Sequence, residues 1–331
     1  MSASRLESST DVPRRPPGPA HVSVVVPLFN EEESLSELVE RIGDAVRSIG
    51  RTHEVLLVDD GSTDRSFDAA RALHERYPAV VRVLRLSRNF GKSAALSVGI
   101  EHALGGVIVT IDADLQDDPA AIPALIEKLE EGWDLVSGWK RKRHDPLSKT
   151  IPSKLFNVVT SWVSGIRLHD FNCGLKAYRA DVAKSLKIYG ERHRFLPALA
   201  YWDNYRVTEI PVTHYPRRFG RSKFGASRFV HGFFDLLTLL FLKRYVKNPL
   251  HFFGMFGLLF GIVGAGVLAY FGFQWLVTRE LHVRPLMLFA VGAIIMGIQF
   301  VSLGLLGEMI TNAAPPSSYR LSTRLDPPPR D

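Results

Sequence analysis

The sequence predicts an α/β protein in which a doubly wound, parallel sheet is followed by two membrane-spanning helices. Short β-branched runs alternate with helical patterns over roughly the first 140 residues, and this alternation is typical of parallel sheets. Near residue 250 the composition changes, and two long segments contain no charged side chain. A chain of 331 residues has room for one globular domain and such an anchor.

The predicted strands are short apolar runs, and each of the first four leads into a loop and a helical pattern. They cover residues 22–26, 54–58, 82–86 and 107–112, then 134–138, 175–178 and, as an edge strand, 206–211. No Gly-x-Gly-x-x-Gly follows the first strand, which argues against an NAD or FAD site. Gly91-Lys92-Ser93 is not a P-loop, because Leu86 stands where that motif needs its first glycine.

The stretch from Thr110 to Asp118 is the most informative part of the chain, because it begins where the fourth strand ends. Ligands of open α/β sheets bind outside the carboxyl ends of the strands. Asp112, Asp114 and Gln116 are spaced two residues apart, so in an extended segment they point the same way and offer hard oxygen ligands for Mg²⁺ or Mn²⁺. A diphosphate would supply the missing ligands. The alternative is that these acids only cap the helix that starts near Pro119.

The end of the second strand carries a further pair of carboxylates, Asp59 and Asp60, followed by Gly61. Such carboxylates can accept hydrogen bonds from a nucleobase imide or a ribose hydroxyl, and the glycine allows close backbone approach. A turn that only caps the next helix would use the same residues. Lys92 begins the third helix at the same sheet edge, where it can meet a nucleotide.

Two cation-rich loops lie further along the chain, over residues 140–143 and 214–224. Each could clamp phosphate groups or form a solvated charged surface. Asp170 lies in a tight turn over residues 168–174, where a carboxylate could abstract a proton or cap a helix. The single cysteine, Cys173, excludes an intrachain disulfide and is predicted to be small buried filler rather than a nucleophile.

Residues 252–277 and 286–306 contain no charged side chain, and each segment exceeds the roughly 20 residues needed to cross a bilayer. They predict a transmembrane hairpin over residues 249–310. A buried hairpin of a soluble protein is the alternative, but soluble helices of this length normally have a polar face. Residues 228–248 mix Phe and Leu with charged side chains and predict an amphipathic helix in the membrane interface.

The charges that flank the first span predict its orientation. Lys243, Arg244 and Lys247 stand immediately before it, and the positive-inside rule places such a flank in the cytoplasm. We therefore expect a multi-pass protein of the cell membrane, with the domain over residues 21–227 and both termini on the cytoplasmic side. The N-terminus lacks the apolar segment of a signal peptide.

The net charge of +7 points to an anionic partner. No helix-turn-helix, RNP or zinc pattern accompanies it, so a membrane surface or a phosphate substrate is expected rather than nucleic acid. The polar ends of the chain, residues 1–20 and 311–331, are predicted to be disordered.

Five motifs can now be considered as a set. In order they read Val-Val-Pro-Leu-Phe-Asn-Glu-Glu, Val-Asp-Asp-Gly-Ser-Thr-Asp, Ser-Arg-Asn-Phe-Gly-Lys, Asp-Ala-Asp-Leu-Gln-Asp and Asn-Cys-Gly-Leu-Lys-Ala-Tyr-Arg. Their order and spacing resemble the family 2 glycosyltransferases, in particular the polyprenyl-phosphate glycosyltransferases such as the dolichol-phosphate mannose synthases and the bactoprenol glucosyltransferases. The resemblance runs from about residue 21 to 310. The Gln-x-x-Arg-Trp motif of processive synthases does not occur, so polymer extrusion is not expected.

The resemblance implies a GT-A fold, which is a Rossmann-like open sheet, with a C-terminal interfacial helix and two transmembrane helices. The nucleotide-sugar site would comprise Pro27, Asn30, Glu31, Asp59, Asp60, Lys92 and Asp112. The metal ligands would be Asp112, Asp114 and Gln116, for Mg²⁺ or Mn²⁺. The phosphates of the donor or of the lipid would contact Arg141, Lys149, Ser153, Arg217 and Lys223. The catalytic residues would be Asp170, which matches the carboxylate proposed as base in the membrane-anchored relatives, and Asp114.

The implied reaction is the inverting transfer of a sugar from a nucleoside-diphosphate sugar to a polyprenyl phosphate. UDP-glucose is favoured as the donor, and GDP-mannose is a second option. A membrane-bound nucleotidyl- or phosphotransferase with the same metal is one alternative, and a non-catalytic membrane scaffold that binds sugar nucleotides is another. The expected partners are therefore the donor, the lipid and the membrane, and a homo-oligomer is compatible with the sequence.

Overall fold

The computed structural model describes residues 21–141, 157–186, 188, 190, 192–216, 249–279, 284–313 and 321–325. The chain divides into two compact units. One contains the sheet and its helices, together with the C-terminal strand, and the other contains the long apolar helices.

The sheet unit has eight strands within these residues, and they form one sheet in the order β7-β5-β6-β4-β1-β2-β3-β8. The strands are β1 (Val22–Leu28), β2 (His53–Asp59), β3 (Val81–Leu86), β4 (Val107–Thr110), β5 (Leu135–Lys140), β6 (Lys176–Arg179), β7 (Val207–Val212) and β8 (Leu321–Leu325). The helices are α1 (Leu35–Arg47), α2 (Ser66–Arg76), α3 (Lys92–His102), α4 (Ile122–Glu130), α5 (Ala180–Ser185) and α6 (Leu196–Trp202). Residues 157–164 are also helical.

The predicted parallel core is confirmed. Strands β4, β1, β2 and β3 run parallel to one another, and every residue of β1 and β2 is buried. Strands that are buried on both faces are typical of sheets covered by helices on either side. Because all four strands run the same way, the loops that follow them meet at one edge of the sheet.

The sheet as a whole is mixed, because β6 runs antiparallel between β4 and β5. Lys176, the first residue of β6, pairs with Thr110, the last residue of β4. The turn over residues 168–174 therefore arrives at the carboxyl end of β4. A parallel arrangement would have placed it at the opposite edge, so this strand direction brings Asp170 to the candidate site.

The prediction that residues 311–331 are disordered is wrong for part of this segment. The second apolar helix continues to Ala313, and Leu321–Leu325 forms β8, which pairs antiparallel with β3. Without β8, the backbone of β3 would be an open edge of the sheet, and an open edge is a ready template for another strand. The predictions for residues 1–20 and for the interfacial helix over residues 228–248 fall outside the described residues.

The apolar unit contains helix α7 (Pro249–Thr278) and helix α8 (Pro285–Ala313), and both are long and apolar enough to cross a bilayer. They pack closely through small residues. A β-carbon added to Gly257 would lie 2.7 Å from the carbonyl oxygen of Gly297, and one added to Gly264 would lie 2.6 Å from that of Ala290. Such contacts let two apolar helices approach closely without polar side chains.

Candidate active site

The loop after β4 presents three oxygen-bearing side chains at the carboxyl edge of the sheet. Asp112, Asp114 and Gln116 are half-buried, whereas the alternating residues Ala113 and Leu115 are buried. The three polar side chains therefore share the open side of the loop, as their spacing predicted. Leu115 has a φ of 56°, so the backbone turns after Asp114.

The carboxylate of Asp112 is held between a cation and a glycine. Its Oδ1 lies 2.6 Å from the ammonium of Lys92. On another side it lies against the backbone of Gly174, where an added β-carbon would come within 2.5 Å of the Asp112 Cγ. The site therefore needs a residue without a side chain at position 174.

Asp114 and Gln116 are positioned by short-range hydrogen bonds. The backbone N–H of Gln116 donates to Oδ1 of Asp114 at 3.2 Å. The side-chain Nε2 of Gln116 lies 3.5 Å from the carbonyl oxygen of Tyr215, and the N–H of Tyr215 donates to the Gln116 carbonyl at 2.8 Å. This contact orients the amide nitrogen toward Tyr215 and leaves the amide oxygen as the available ligand atom.

The donor set suits a divalent cation that is shared with a substrate. In the part of the chain that the structure describes, no group of three His, Cys, Asp or Glu residues could hold a metal ion. Asp112, Asp114 and Gln116 offer two carboxylates and one amide oxygen, which are the hard ligands that Mg²⁺ and Mn²⁺ accept. Mg²⁺ is commonly held by one or two carboxylates plus substrate phosphates, and these residues fit that pattern.

Capping explains only the last acid of this stretch. Asp118 caps the short helix Pro119–Ala121, because its Oδ1 accepts the N–H of Ala120 at 3.1 Å. The Asp118 carboxylate also accepts hydrogen bonds from the Arg41 guanidinium at 2.8 Å and from the hydroxyl of Tyr215 at 2.9 Å. The capping alternative therefore holds for Asp118, not for Asp112 or Asp114.

The carboxylates after β2 organise the neighbouring loops. Asp59 is fully buried, accepts the N–H of Ser62 at 2.9 Å and pairs with Arg85 at 3.2 Å. Asp60 accepts the N–H groups of Phe90 and Gly91 at 2.8 and 2.9 Å. Burial raises the pKa of Asp60, although these two hydrogen bonds oppose the shift. In this structure Asp59 forms the turn, and Asp60 holds the loop that leads into α3.

Gly61 makes a close backbone contact within the protein itself. It has a φ of 70°, and an added β-carbon would lie 2.5 Å from the carbonyl carbon of Arg88. The approaching backbone belongs to the loop after β3. The ends of β2 and β3 are therefore packed directly against each other.

The other predicted nucleotide residues follow β1. Asn30 has a φ of 57°, and its side chain exchanges hydrogen bonds with Thr63 at 2.9 and 3.2 Å. The N–H of Glu31 donates to the hydroxyl of Ser66 at 2.8 Å. Pro27, by contrast, is buried inside β1 beside its partner Val58, so its ring is not exposed at the sheet edge.

Asp170 lies at the same edge but is buried, with 1% of its surface exposed. Its Oδ1 accepts the N–H of Asn172 at 3.1 Å. Its N–H lies 3.4 Å from a carboxylate oxygen of Glu209. The side chain is thus fixed within the turn, and it belongs to the buried charged surroundings of Lys140 and Lys176.

Only one of the five predicted phosphate contacts can be located. Arg141 is exposed directly after β5. Lys149, Ser153, Arg217 and Lys223 lie outside the described residues.

Sequence reasoning missed an ion pair between the buried carboxylate of Asp117 and the largely buried ammonium of Lys140. The ammonium lies 2.8 Å from Oδ1 of Asp117, and Nδ1 of His214 lies 3.6 Å from the same oxygen. Burial alone would raise the pKa of Asp117, but Lys140 and His214 hold it well below its usual range. The sequence places Lys140 in a basic run that could be a solvated loop or a phosphate clamp, and no local pattern marks Asp117 as its partner.

The pair joins three parts of the site. Asp117 follows the candidate metal ligands, and Lys140 ends β5. His214 forms a β-bridge with Asp117 and precedes the second basic loop. Cys173 is buried beside this pair, as predicted, and burial raises the pKa of its thiol.

A second missed contact lies beside Lys92. Ser93 Oγ and Nδ1 of His193 are 2.9 Å apart, and the N–H of His193 also approaches this hydroxyl at 3.3 Å. Burial holds the pKa of His193 well below its usual value, and Lys92, Arg194 and Lys176 add to the shift. The neutral imidazole thereby anchors the segment before α6 against the start of α3.

The sequence is similar to a known protein family and to individual named proteins. Residues 23–186 match the Glycosyl transferase family 2. The chain is 41% identical over 294 residues to the dodecaprenyl-phosphate galacturonate synthase of Rhizobium johnstonii, with 87% of each chain covered. It is 39% identical over 300 residues to the undecaprenyl-phosphate 4-deoxy-4-formamido-L-arabinose transferase of Klebsiella pneumoniae (strain 342), with 87% of this chain and 88% of the relative covered.

The fold is also similar to solved structures. The glucosyl-3-phosphoglycerate synthase of Mycobacterium tuberculosis, in complex with Mn²⁺ and UDP-glucose, superposes with a TM-score of 0.52. The match covers 68% of this chain and 79% of that one at 20% identity, so it concerns the fold alone. The predicted GT-A type of open sheet is thus confirmed, and the relatives support sugar transfer to a polyprenyl phosphate. The extent and identity of these matches show that the chain belongs to glycosyltransferase family 2, within its polyprenyl-phosphate glycosyltransferase group.

Proposed function

We propose that this enzyme transfers a sugar from a nucleoside-diphosphate sugar to a polyprenyl phosphate with inversion at the anomeric carbon. The observation that carries the proposal is the row Asp112, Asp114 and Gln116 on the open side of the loop after β4, with Lys92 in contact with the first of them. Carboxylates and an ammonium together suit a metal-bound diphosphate, which carries both a cation and anionic oxygens.

Asp112, Asp114 and Gln116 would hold a Mg²⁺ or Mn²⁺ ion. When bound, the ion would supply Lewis-acid stabilisation of the departing diphosphate. The Mn²⁺ in the complex of the Mycobacterium tuberculosis enzyme is consistent with this chemistry. Asn30, Glu31 and Asp60 lie on the adjoining loops and would contact the nucleoside.

The chemical step needs little base catalysis. A phosphate oxygen of the lipid attacks the anomeric carbon, the bond between that carbon and the diphosphate oxygen breaks, and the nucleoside diphosphate leaves. A phosphate monoester is already largely ionised at neutral pH. The buried position of Asp170 fits a role in orienting groups at the site better than a role in removing a proton.

The names of the relatives bear on the sugar donor. The sequence favoured UDP-glucose over GDP-mannose, but the named relatives concern galacturonate and 4-deoxy-4-formamido-L-arabinose. We therefore rank a uronic acid donor and the formamido-pentose donor ahead of UDP-glucose.

Membrane attachment fits an acceptor that cannot leave the bilayer. Helices α7 and α8 would form the anchor, and Lys243, Arg244 and Lys247 would place the sheet unit and both termini on the cytoplasmic side. Holding the enzyme at the membrane replaces a three-dimensional search for the lipid by a local one.

The test is a donor panel with the purified full chain. The enzyme is incubated with undecaprenyl phosphate, Mn²⁺ or Mg²⁺, and one donor at a time. The donors are UDP-galacturonate, UDP-glucuronate, UDP-4-deoxy-4-formamido-L-arabinose, UDP-glucose and GDP-mannose, and the mass of the lipid product is measured by mass spectrometry. One donor should yield a lipid heavier by one glycosyl group. Loss of one candidate ligand in Asp114→Ala should lower kcat/KM by about 10²- to 10³-fold.

Asp68→Ala is the matched control, because Asp68 is exposed and pairs only with the neighbouring Arg71 among the described ion pairs. It should retain wild-type activity. A phosphoryl or nucleotidyl group on the lipid would favour the alternative transferase. No lipid product with any donor, or full activity of Asp114→Ala, would refute the proposal.

A further inference from the structure

Asp112 is a candidate metal ligand that already has a cation in contact. The ammonium of Lys92 lies 2.6 Å from Oδ1, and the two side chains are 34% and 29% exposed. Both groups are therefore within reach of solvent and of an incoming ligand. The contact joins the carboxyl end of β4 to the first residue of α3.

The carboxylate cannot easily turn away from this cation. Gly174 leaves just enough room for it, since an added β-carbon would lie 2.5 to 2.6 Å from its three terminal atoms. Lys92 is less restricted, because it stands at the start of α3 after Gly91, and its ammonium is carried by a flexible four-carbon side chain. If one partner moves when a ligand arrives, it is Lys92.

A divalent cation and the Lys92 ammonium compete for the same carboxylate. Two positive groups that both contact Oδ1 would repel each other at short distance. A bound diphosphate removes this conflict, because its oxygens offer the ammonium another acceptor. Without the nucleotide, this repulsion opposes metal binding. With the nucleotide bound, the ammonium can contact the diphosphate and the repulsion is reduced.

We propose that Lys92 occupies the place of the metal at Asp112 until the donor binds, and that it then transfers to the donor's diphosphate. This inference rests on the proposed function, because it assumes the metal site at Asp112. It makes Lys92 the residue that couples metal binding to nucleotide binding. A bare metal ion binds weakly, and the metal and nucleotide favour each other.

The first experiment measures Mn²⁺ binding to the full chain without nucleotide, by electron paramagnetic resonance of the free ion. Lys92→Met removes the competing charge at similar length, and it should bind Mn²⁺ more tightly than wild type by up to about fivefold, the factor that corresponds to the loss of a pair worth about 1 kcal/mol. Lys92→Arg keeps the charge and should stay near wild type. Asp112→Asn should bind more weakly than either.

Lys128→Met is the matched control for net charge. Lys128 pairs with Glu131 at the same 2.6 Å and is 32% exposed, but this pair lies at the end of α4. Its removal should leave Mn²⁺ binding unchanged. An equal gain in Lys128→Met would mean that overall charge, not Lys92, sets the affinity.

The second experiment measures binding of UDP and of GDP at saturating Mn²⁺ by isothermal titration. For the nucleotide that wild type prefers, Lys92→Met should bind more weakly by up to about fivefold. We thus expect a single variant, Lys92→Met, to have a higher affinity for Mn²⁺ and a lower affinity for the nucleotide. A residue with a merely structural role would weaken both or neither.

The inference is overturned if Lys92→Met binds Mn²⁺ no more tightly than wild type, or if both ligands weaken together. The donor panel reports separately on the proposed function. Suppose that no donor yields a lipid product, but Lys92→Met binds Mn²⁺ more tightly and the nucleotide more weakly. The proposed sugar transfer would then be refuted, and the proposed exchange of Lys92 between Asp112 and the diphosphate would stand.

Discussion

The carboxylate of Asp112 lies against Gly174, so that a β-carbon added there would come within 2.5 Å of the Asp112 Cγ. The two residues meet because β6 runs antiparallel to β4 and brings the end of the 168–174 turn to the carboxyl end of that strand. A motif glycine thereby shapes the position of a candidate metal ligand.

Gly174→Ala is expected to displace the Asp112 carboxylate, because the new methyl group would occupy its place. Activity should fall by about 10²-fold, comparable to the loss of a well-positioned polar group at an active site, and Mn²⁺ binding should weaken in parallel. The measurement is kcat/KM in the lipid assay together with the Mn²⁺ titration.

A double-mutant cycle with Asp112→Asn is the control. Because both changes act on one carboxylate, the double variant should be little worse than the poorer single variant. Additive losses would show that Gly174→Ala acts elsewhere.

Lys140→Met should destabilise the enzyme strongly, because it leaves the Asp117 carboxylate buried without its ammonium. Removing one partner of a buried pair costs about 3–5 kcal/mol, and the free energy of unfolding in detergent measures it. Lys128→Met, which removes an exposed pair, should cost at most about 1 kcal/mol. Similar losses in the two variants would contradict the importance of burial.

The pH dependence of the same pair follows from the two pKa shifts. Asp117 has a lowered pKa, so its contribution is present above the unfolded value near 4 and is lost only as the pH falls further. Lys140 has a raised pKa, so its contribution is present below about 10.4 and is lost as the pH rises beyond that. The contribution of the pair to the stability of wild type should therefore be constant from about pH 5 to 9. In Lys140→Met, burial raises the pKa of Asp117, so the stability difference between the two proteins should shrink as the pH falls.

His193→Gln should flatten the loss of stability in mild acid. The folded enzyme keeps His193 neutral because burial lowers its pKa well below 6.5, whereas the unfolded chain takes up the proton. Stability should thus fall as the pH drops below about 6.5, at up to about 1.4 kcal/mol per pH unit from this residue. Melting temperatures from pH 5 to 9 test it, and a wild-type slope in the variant would refute it.

Deleting residues 321–331 should expose the edge of β3. Strand β8 pairs with Val83 to Leu86, so the amides of β3 that it protects should exchange with deuterium at least about tenfold faster. Deletion of residues 326–331 alone keeps β8 and serves as the control. Because the loop to Lys92 follows β3, a rise in KM for the donor is also expected.

Local patterns were enough to predict much of the fold and part of the site. The β-branched runs, the spacing of Asp112, Asp114 and Gln116, and the two uncharged segments are each visible within a few dozen residues. They were confirmed as strands, as three side chains on one side of a loop, and as two long apolar helices. The reversal of β6 and the pairing of β8 leave no comparable local mark, since a strand's direction depends on its neighbours.

The sequence by itself determined the fold class, the candidate metal ligands and the apolar hairpin, because periodicity and composition are properties of a segment. Only the tertiary structure decided which polar and charged groups meet. Ser93 meets His193 across 100 residues, and Lys140 meets Asp117 inside the protein, although each cation or polar residue looks like an ordinary surface residue in its own segment. Burial and charge pairing arise from contacts between segments that are distant in sequence. Their contributions to the free energy of folding therefore depend on how the sheet brings those segments together.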